Sequence, residues 1–276
     1  MEDFWIQHRV NKSNFKIHRH IEHRYQVVLV LNGKIRYTVG DNEYIAAKGD
    51  MVVLNTLENH ILEVISYPYE RYILQIDPSF FQREVKYPEI ISIFIRRPAG
   101  FSHMFNLSDE IFDFTCLCLD EMEREHKDRR VYWEMIIGSN LRRMFVTIFR
   151  ACSTSFYTGK IDAGITLAFQ IQNYLDHNYT ENLSVDDISS RFFLNKHYLS
   201  HVFKDVTGYG MMEYVIFLRM NKAKILLAQT GESISLIASK CGYTNFTHFS
   251  RQFRKLEACT PSEYRRKWLE MEEVDD

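Results

Sequence analysis

The sequence predicts an α+β chain of two domains, a small antiparallel β-barrel that carries a helical hairpin and then an all-α domain with two helix-turn-helix units joined by a long helix. Its 276 residues are enough for about two ordinary domains. Up to about residue 80, short β-branched runs alternate with tight-turn signals, whereas from Ser108 onward apolar residues recur at helical spacing. One amphipathic phrase is also written twice: YLSHVFK from Tyr198 and HFSRQFR from His248, fifty positions apart.

In the first part, YQVVLVL reads as a strand, Asn32-Gly33 as a two-residue hairpin turn, and KIRYTV as its return. Gly40-Asp41-Asn42 and Lys48-Gly49-Asp50 mark further turns around EYIAA and MVVLN, and ERYILQI is one more strand. These place a barrel over about residues 15–80. Ile111, Phe114, Leu117, Leu119 and Met122 then form a helical stripe, and VYWEMIIGSNLRRMFVTIFRAC repeats the habit, so a hairpin of helices is expected over about 108–151. Residues 1–152 form the first domain. The small, polar stretch STSFYTGKIDA, residues 153–163, is read as the linker.

Residues 164–269 are helical throughout, followed by an acidic tail, 270–276. Ser184-Val-Asp-Asp187 has a capping-box pattern, Ser233 precedes another periodic run, and Thr260-Pro-Ser-Glu263 joins a capping threonine to a first-turn proline and a glutamate that can reach back. The repeated phrase falls on the second helix of two helix-turn-helix units. In the first, Leu199, Val202 and Phe203 bury while Lys196, His197, Ser200, His201 and Lys204 face out. In the second, Phe249 and Phe253 bury while Thr247, Ser250, Arg251 and Arg254 face out. The outward stripes are rich in the donors that phosphate oxygens and base edges accept. The helix from Met212 spans ~27 Å at ~1.5 Å per residue, suited to setting two such helices in successive major grooves, which recur every ~34 Å.

Charge agrees. The net formal charge is only −2, but twelve cations face five anions between Asn195 and Leu269, a local excess of +7 that the tail EMEEVDD masks. The five cysteines, at 116, 118, 152, 241 and 259, form no C-x-x-C pair and read as reduced thiols in a cytoplasmic setting. No apolar run is long enough to span a bilayer, and the N-terminus has no signal-peptide pattern. No nucleophile–base motif or Gly-rich phosphate loop occurs, so an enzyme is not expected.

Through YLSHVFKDVTG, YVIFLRMNKAKILLAQT, SISLIASKCGYTN, FSRQFRK and TPSEYRR, in that order and spacing, the chain resembles the AraC/XylS family of bacterial transcription regulators. The segment HRHIEHRYQVVLVLNGKIRYTVGDNEYIAAKGDMVVLNTLENH is similar to the family's cupin-like sensor domain. The resemblance implies base contacts from Lys196, His197, Ser200 and His201 and from Phe246, Thr247, Ser250 and Arg251, with Lys204 and Arg254 on the same faces. It implies double-stranded DNA, a small-molecule effector such as a sugar or related metabolite, a homodimer through the helical hairpin, and RNA polymerase as partners, with no membrane. His18, His20, Arg24, Gln26, Tyr37 and His60 are the candidate effector contacts.

The sequence departs from the family where Phe193 replaces a small residue in the first turn and where Ala258 replaces a glycine. A metal is not expected, although His18, His20, His23 and His60 invite one. Gln26 stands where metal-binding cupins place a glutamate, and a neutral amide is a poor ligand; no other cofactor is expected. Two rival readings remain: a metal-dependent cupin enzyme fused to a DNA-binding module, and a DNA-binding protein whose barrel serves only protein contacts.

Overall fold

The computed structural model describes residues 4–13, 16–20, 24–56, 58, 60–95, 101–153, 156 and 163–272, without the side chains of 16–20 and 267–272. The chain divides into two compact units, residues 1–166 and 167–276.

The first unit is built on a seven-stranded antiparallel sheet: β1 (Phe4–Asn11), β2 (Lys16–His20), β3 (Tyr25–Val39), β4 (Asn42–Ala47), β5 (Asp50–Leu54), β6 (His60–Ile76) and β7 (Met104–Asn106). The order is β1-β6-β3-β5-β7, with β2 also on β6 and β4 also on β3. The turns at Gly40 and Gly49 fall where the sequence places them. Asn32-Gly33 does not. It makes no hairpin, because β3 runs through it as one strand of 15 residues against β6. The pairing shifts register between Val30 and Ile35, a β-bulge. Gly33 has φ 86°, and a Cβ there would lie 2.6 Å from the Pro68 carbonyl oxygen and 2.7 Å from that of Ser66. A residue that must be left-handed and let a neighbouring backbone approach carries the same sequence signal as a turn. The sheet also begins earlier than residue 15, since β1 precedes that point and pairs with β6 along its whole length.

One buried cluster joins Val28 and Val30 from before the bulge to Ile35, Tyr37 and Val39 from after it, with Leu54, Leu62 and Tyr69. The sheet is therefore rolled, with this cluster as its inner face. On the other face pack α1 (Pro78–Val85), α2 (Pro88–Ile91), α3 (Asp109–Asp128) and α4 (Trp133–Ala151). Tyr25 stacks on Phe94 at 4.2 Å, and Phe81 meets Phe94 and Phe145 edge-on at 5.1 and 4.8 Å. Tyr72 donates to Asp120 of α3, and the His8 amide donates to Glu123 at 3.0 Å. Leu117 and Leu119, placed on one stripe by the sequence, separate: Leu119 is buried and Leu117 exposed.

The second unit holds α5 (Ala163–Asn178) from Leu167 on, α6 (Val185–Phe192), α7 (Lys196–Thr207), α8 (Met211–Gln229), α9 (Ile234–Lys240), α10 (Phe246–Glu257) and α11 (Pro261–Glu272). The start of the expected acidic tail thus continues α11, and residues 273–276 lie outside the described residues. No helix of the described residues is long and apolar enough to cross a membrane. Capping chemistry sets the helix starts. Ser184 and Asp187 form a reciprocal capping box, Asn195 and Asn245 accept from His197 and His248 amides, and Ser233 accepts from Leu236. Thr260 and Glu263 cap each other, and these hydrogen bonds hold the Glu263 carboxyl below its usual range. The two turns are not equal: seven positions separate Ile188 from Asn195, but eight separate Ile237 from Asn245. In the longer turn Gly242 has φ 83°, and a Cβ there would lie 2.4 Å from the Thr180 carbonyl oxygen.

The two unusual residues of the sequence both occupy left-handed backbone. Phe193 ends α6 at φ 55°, and Ala258 ends α10 at φ 55°. Both are exposed, so glycine can replace them without leaving a hole. Ala258→Gly and Phe193→Gly are each expected to stabilise the second unit by about 0.5–1 kcal/mol, the left-handed strain relieved less the extra unfolded-state freedom of glycine. Thermal melts of the two variants check this, and a lower melting temperature for both contradicts it.

Candidate functional site

The first candidate surface is made by α7 and α10. Each starts on an asparagine cap, which accepts from the His197 amide in α7 and from the His248 amide in α10. In α7, Leu199, Phe203 and Val206 are buried. His197, His201 and Lys204 are exposed and Ser200 is half-buried. In α10, Phe249 and Phe253 are fully buried, while Phe246, Thr247, Arg251 and Arg254 are exposed and Ser250 is half-buried. All ten residues named from the sequence thus lie off the buried stripes. Asn245, Thr247, His248 and Arg251 line one shallow hollow at the start of α10. His248 was missed, although it stands fifty positions after Tyr198, itself half-exposed.

The cations sort into two groups. Arg219 donates to the carbonyls of Tyr179 and Glu181, both at 2.6 Å, and its guanidinium sits 5.3 Å from the Tyr243 ring. Burial, chiefly, pulls its pKa down and pushes the Tyr243 hydroxyl up to about 12. Arg265 donates to the carbonyls of Glu232 at 2.7 Å and Leu227 at 3.3 Å. Lys224 pairs with Glu257 at 3.1 Å, and Lys240 with Glu232. These four hold helices together. Lys196 faces outward but its ammonium lies 2.9 Å from Asp186. Lys204, Arg251, Arg254 and Lys255 are exposed on the two helices themselves. The +7 excess therefore overstates the charge free to meet a polyanion.

The second candidate site is the inner face of the rolled sheet. Gln26, Tyr37 and His60 are buried there, at 5%, 2% and 1% exposure. The rings of Tyr37 and His60 are 5.9 Å apart, and His60 Nδ1 lies 3.1 Å from the Glu58 carbonyl oxygen. Arg24 is half-buried at the start of β3. His18 and His20 lie on β2, with His20 opposite His60 in the ladder, but their side chains lie outside the described residues, as does His23. Sequence reasoning missed Arg71, 1% exposed on β6. Its guanidinium stacks over Tyr69 at 4.3 Å and donates to Asn11. The signal was present in YERYILQI, residues 69–76, where Tyr69, Arg71 and Ile73 alternate on one face.

Comparison with known proteins follows this division. Residues 6–107 match the model of the AraC-like ligand binding domain, and residues 188–267 match that of a helix-turn-helix domain. The Transposon Tn10 TetD protein of Escherichia coli is 33% identical over 96 residues, covering 35% of this chain and 70% of its own. The HTH-type transcriptional activator RhaS of Yersinia pseudotuberculosis is 22% identical over 262 residues, 94% of this chain and 92% of its own. ToxT of Vibrio cholerae, solved with an unsaturated fatty acid bound, superposes with a TM-score of 0.61 at 17% identity, over 95% of this chain and 94% of its own. The chain spans only 13–35% of the length of the first curated relatives it matches.

The geometry separates two positions on α10. Arg251 follows Thr247 by one turn beside the hollow, while Arg254 lies near the C-terminal end. Arg251→Ala is expected to weaken binding to a cognate site by ~1–3 kcal/mol and relax preference at one base pair, whereas Arg254→Ala weakens all sequences alike and lowers the salt slope by about one. Affinities of both variants across a library of site variants check this, and an unchanged ranking with Arg251→Ala removes its base-reading role. With the two matched domain models in order along one chain, and a relative of which this chain covers more than two thirds, the chain belongs to the AraC family of helix-turn-helix transcription regulators.

Proposed function

We propose that this chain is a sequence-specific DNA-binding regulator of transcription, controlled by a small-molecule effector held in the rolled sheet. The observation that carries the reading is the doubled element: two asparagine-capped helices, α7 and α10, each with a buried apolar stripe and an outward polar one, packed on a single α8. Phe203 meets Tyr214 near the start of α8, while Phe249 and Phe253 pack with Met220, Ala223 and Leu227 toward its end. One polypeptide so built can present two helices to two neighbouring major grooves. The effector is a small metabolite, and its binding shifts a pre-existing balance of domain arrangements. RNA polymerase is the protein partner at the promoter, in keeping with the activator named among the relatives.

The chain acts as a homodimer through α3 and α4. Leu117, Val131, Tyr132 and Met135 are exposed there at 67–82%, more apolar surface than a hairpin facing only water needs.

The test is fluorescence anisotropy of the full chain on duplex DNA across a salt series. Each phosphate neutralised adds ~0.9 to the slope of log affinity against log salt. Per protomer bound, four to six outward contacts therefore contribute a slope of about −4 to −5, against about −11 per protomer if all twelve cations took part. A salt-independent affinity, or none, overturns the reading. For the dimer, sedimentation of Leu117→Glu and Met135→Glu at micromolar concentration is expected to show monomers where the parent chain is a dimer. A monomeric parent removes the assignment.

A further inference from the structure

The interior of the rolled sheet holds a residue that folding does not call for. Arg71 is 1% exposed, with Tyr69 under its guanidinium and Asn11 accepting from it. The residue directly opposite it on the β1–β6 ladder is a second arginine, Arg9. Directly opposed residues share a face, so both cations lie on the same side of the sheet. Burial is the main force lowering the Arg71 pKa; Tyr69 and Tyr37 oppose it, and Arg9 adds to it. An apolar side chain between Tyr69 and Ile73 would cost the fold less, because burying a guanidinium forfeits its hydration and like charges across a ladder repel. Structure kept at a cost in stability marks a functional position.

The surroundings say what the position takes. Val30 is paired with Arg71, and Val28, Leu54 and Leu62 continue an apolar lining. Four residues along β3 from Val30, or ~13 Å at the rise of a strand, lies Gln26. It is 5% exposed on the same face, and its Oε1 is buried without a hydrogen-bond partner among the described residues. The inner face thus offers a cationic fork at one place, an apolar wall beyond it, and an amide with unused hydrogen-bonding capacity beyond that. A guanidinium presents paired donors to a carboxylate in a geometry that a sugar hydroxyl cannot use as fully.

We propose that Arg71, with Arg9 beside it, seats the carboxylate of the effector, which is an organic acid rather than a neutral sugar. This rests on the effector role proposed for the sheet and narrows its ligand class. The test is calorimetric titration of the purified full chain with hexanoate, benzoate and D-galacturonate, each against its neutral twin: hexanamide, benzamide and D-galactose. At least one acid is expected to bind, with its twin at least tenfold weaker. Arg71→Met is expected to lose at least tenfold in affinity for that acid, and Arg9→Gln several-fold. Arg9 is exposed, so its variant keeps the test decisive if Arg71→Met does not fold. Binding of a neutral twin as tight as its acid, acid binding unchanged in the variants that fold, inorganic phosphate binding as tightly as any acid, or no binding by any of the three acids each overturns the proposal. Affinity for DNA and its salt slope do not depend on this site. A chain that binds DNA and responds to D-galactose leaves the regulator reading intact and removes this one.

Discussion

The first unit depends on the pairing of two very long strands. β3 and β6, of 15 and 17 residues, run against each other for most of their lengths. Strands of that length twist and cannot stay flat, and the bulge at Gly33 turns the twist into a bend. Residues on either side of the bulge then face one another, and an inner face exists at all. Gly33 is the residue without which the backbones at Ser66 and Pro68 could not come so close. The placing of Tyr37, His60 and Arg71 in one interior is a consequence of that bend.

The second unit rests on a different economy. Short helices of 7 to 12 residues are marginal alone. Here each is started by a side-chain cap, and α7 and α10 close over Phe203, Phe249 and Phe253 against α8. Arg219 and Arg265 tie the backbone ahead of α6 and α9 to the helices that follow, by donating to carbonyls that have no helical partner. Cations that a sequence count assigns to DNA are thus consumed in holding the helical unit together. Rigidity and surface charge are drawn from the same residues, and the structure decides which residue serves which.

Much of this was legible in the sequence because it follows from local chemistry. The caps at Ser184, Ser233 and Thr260, the fifty-residue repeat and the turns at Gly40 and Gly49 each announce themselves within a few residues. What was illegible depends on distant partners. Asn32-Gly33 looks like a hairpin because a bulge and a turn ask the same of a glycine; only β6 distinguishes them. β1 escaped notice because its alternation, Phe4 and Ile6 buried beside exposed Arg9 and Val10, is strand-like only once its pairing with β6 is known. Arg71 escaped because an arginine in a strand is ordinarily read as outward-facing, and its burial is a property of the rolled sheet. Leu117 and Leu119 could not be told apart by stripe alone, since two residues apart on a helix they face in different directions.

From buried isoleucine to asparagine cap the second helix-turn-helix unit is one residue longer than the first, and the side chains that follow differ: lysine, two histidines and serine on α7, phenylalanine, threonine and two arginines on α10. The two heads are therefore related but unequal, and their order is fixed by the chain. A symmetric dimer of identical heads meets a palindrome and has no preferred direction along the double helix. A chain with a distinct front and back has one. A single protomer bound by both heads would lie in one orientation only, so reversing its binding segment would reverse the order in which the two heads follow one another along the DNA.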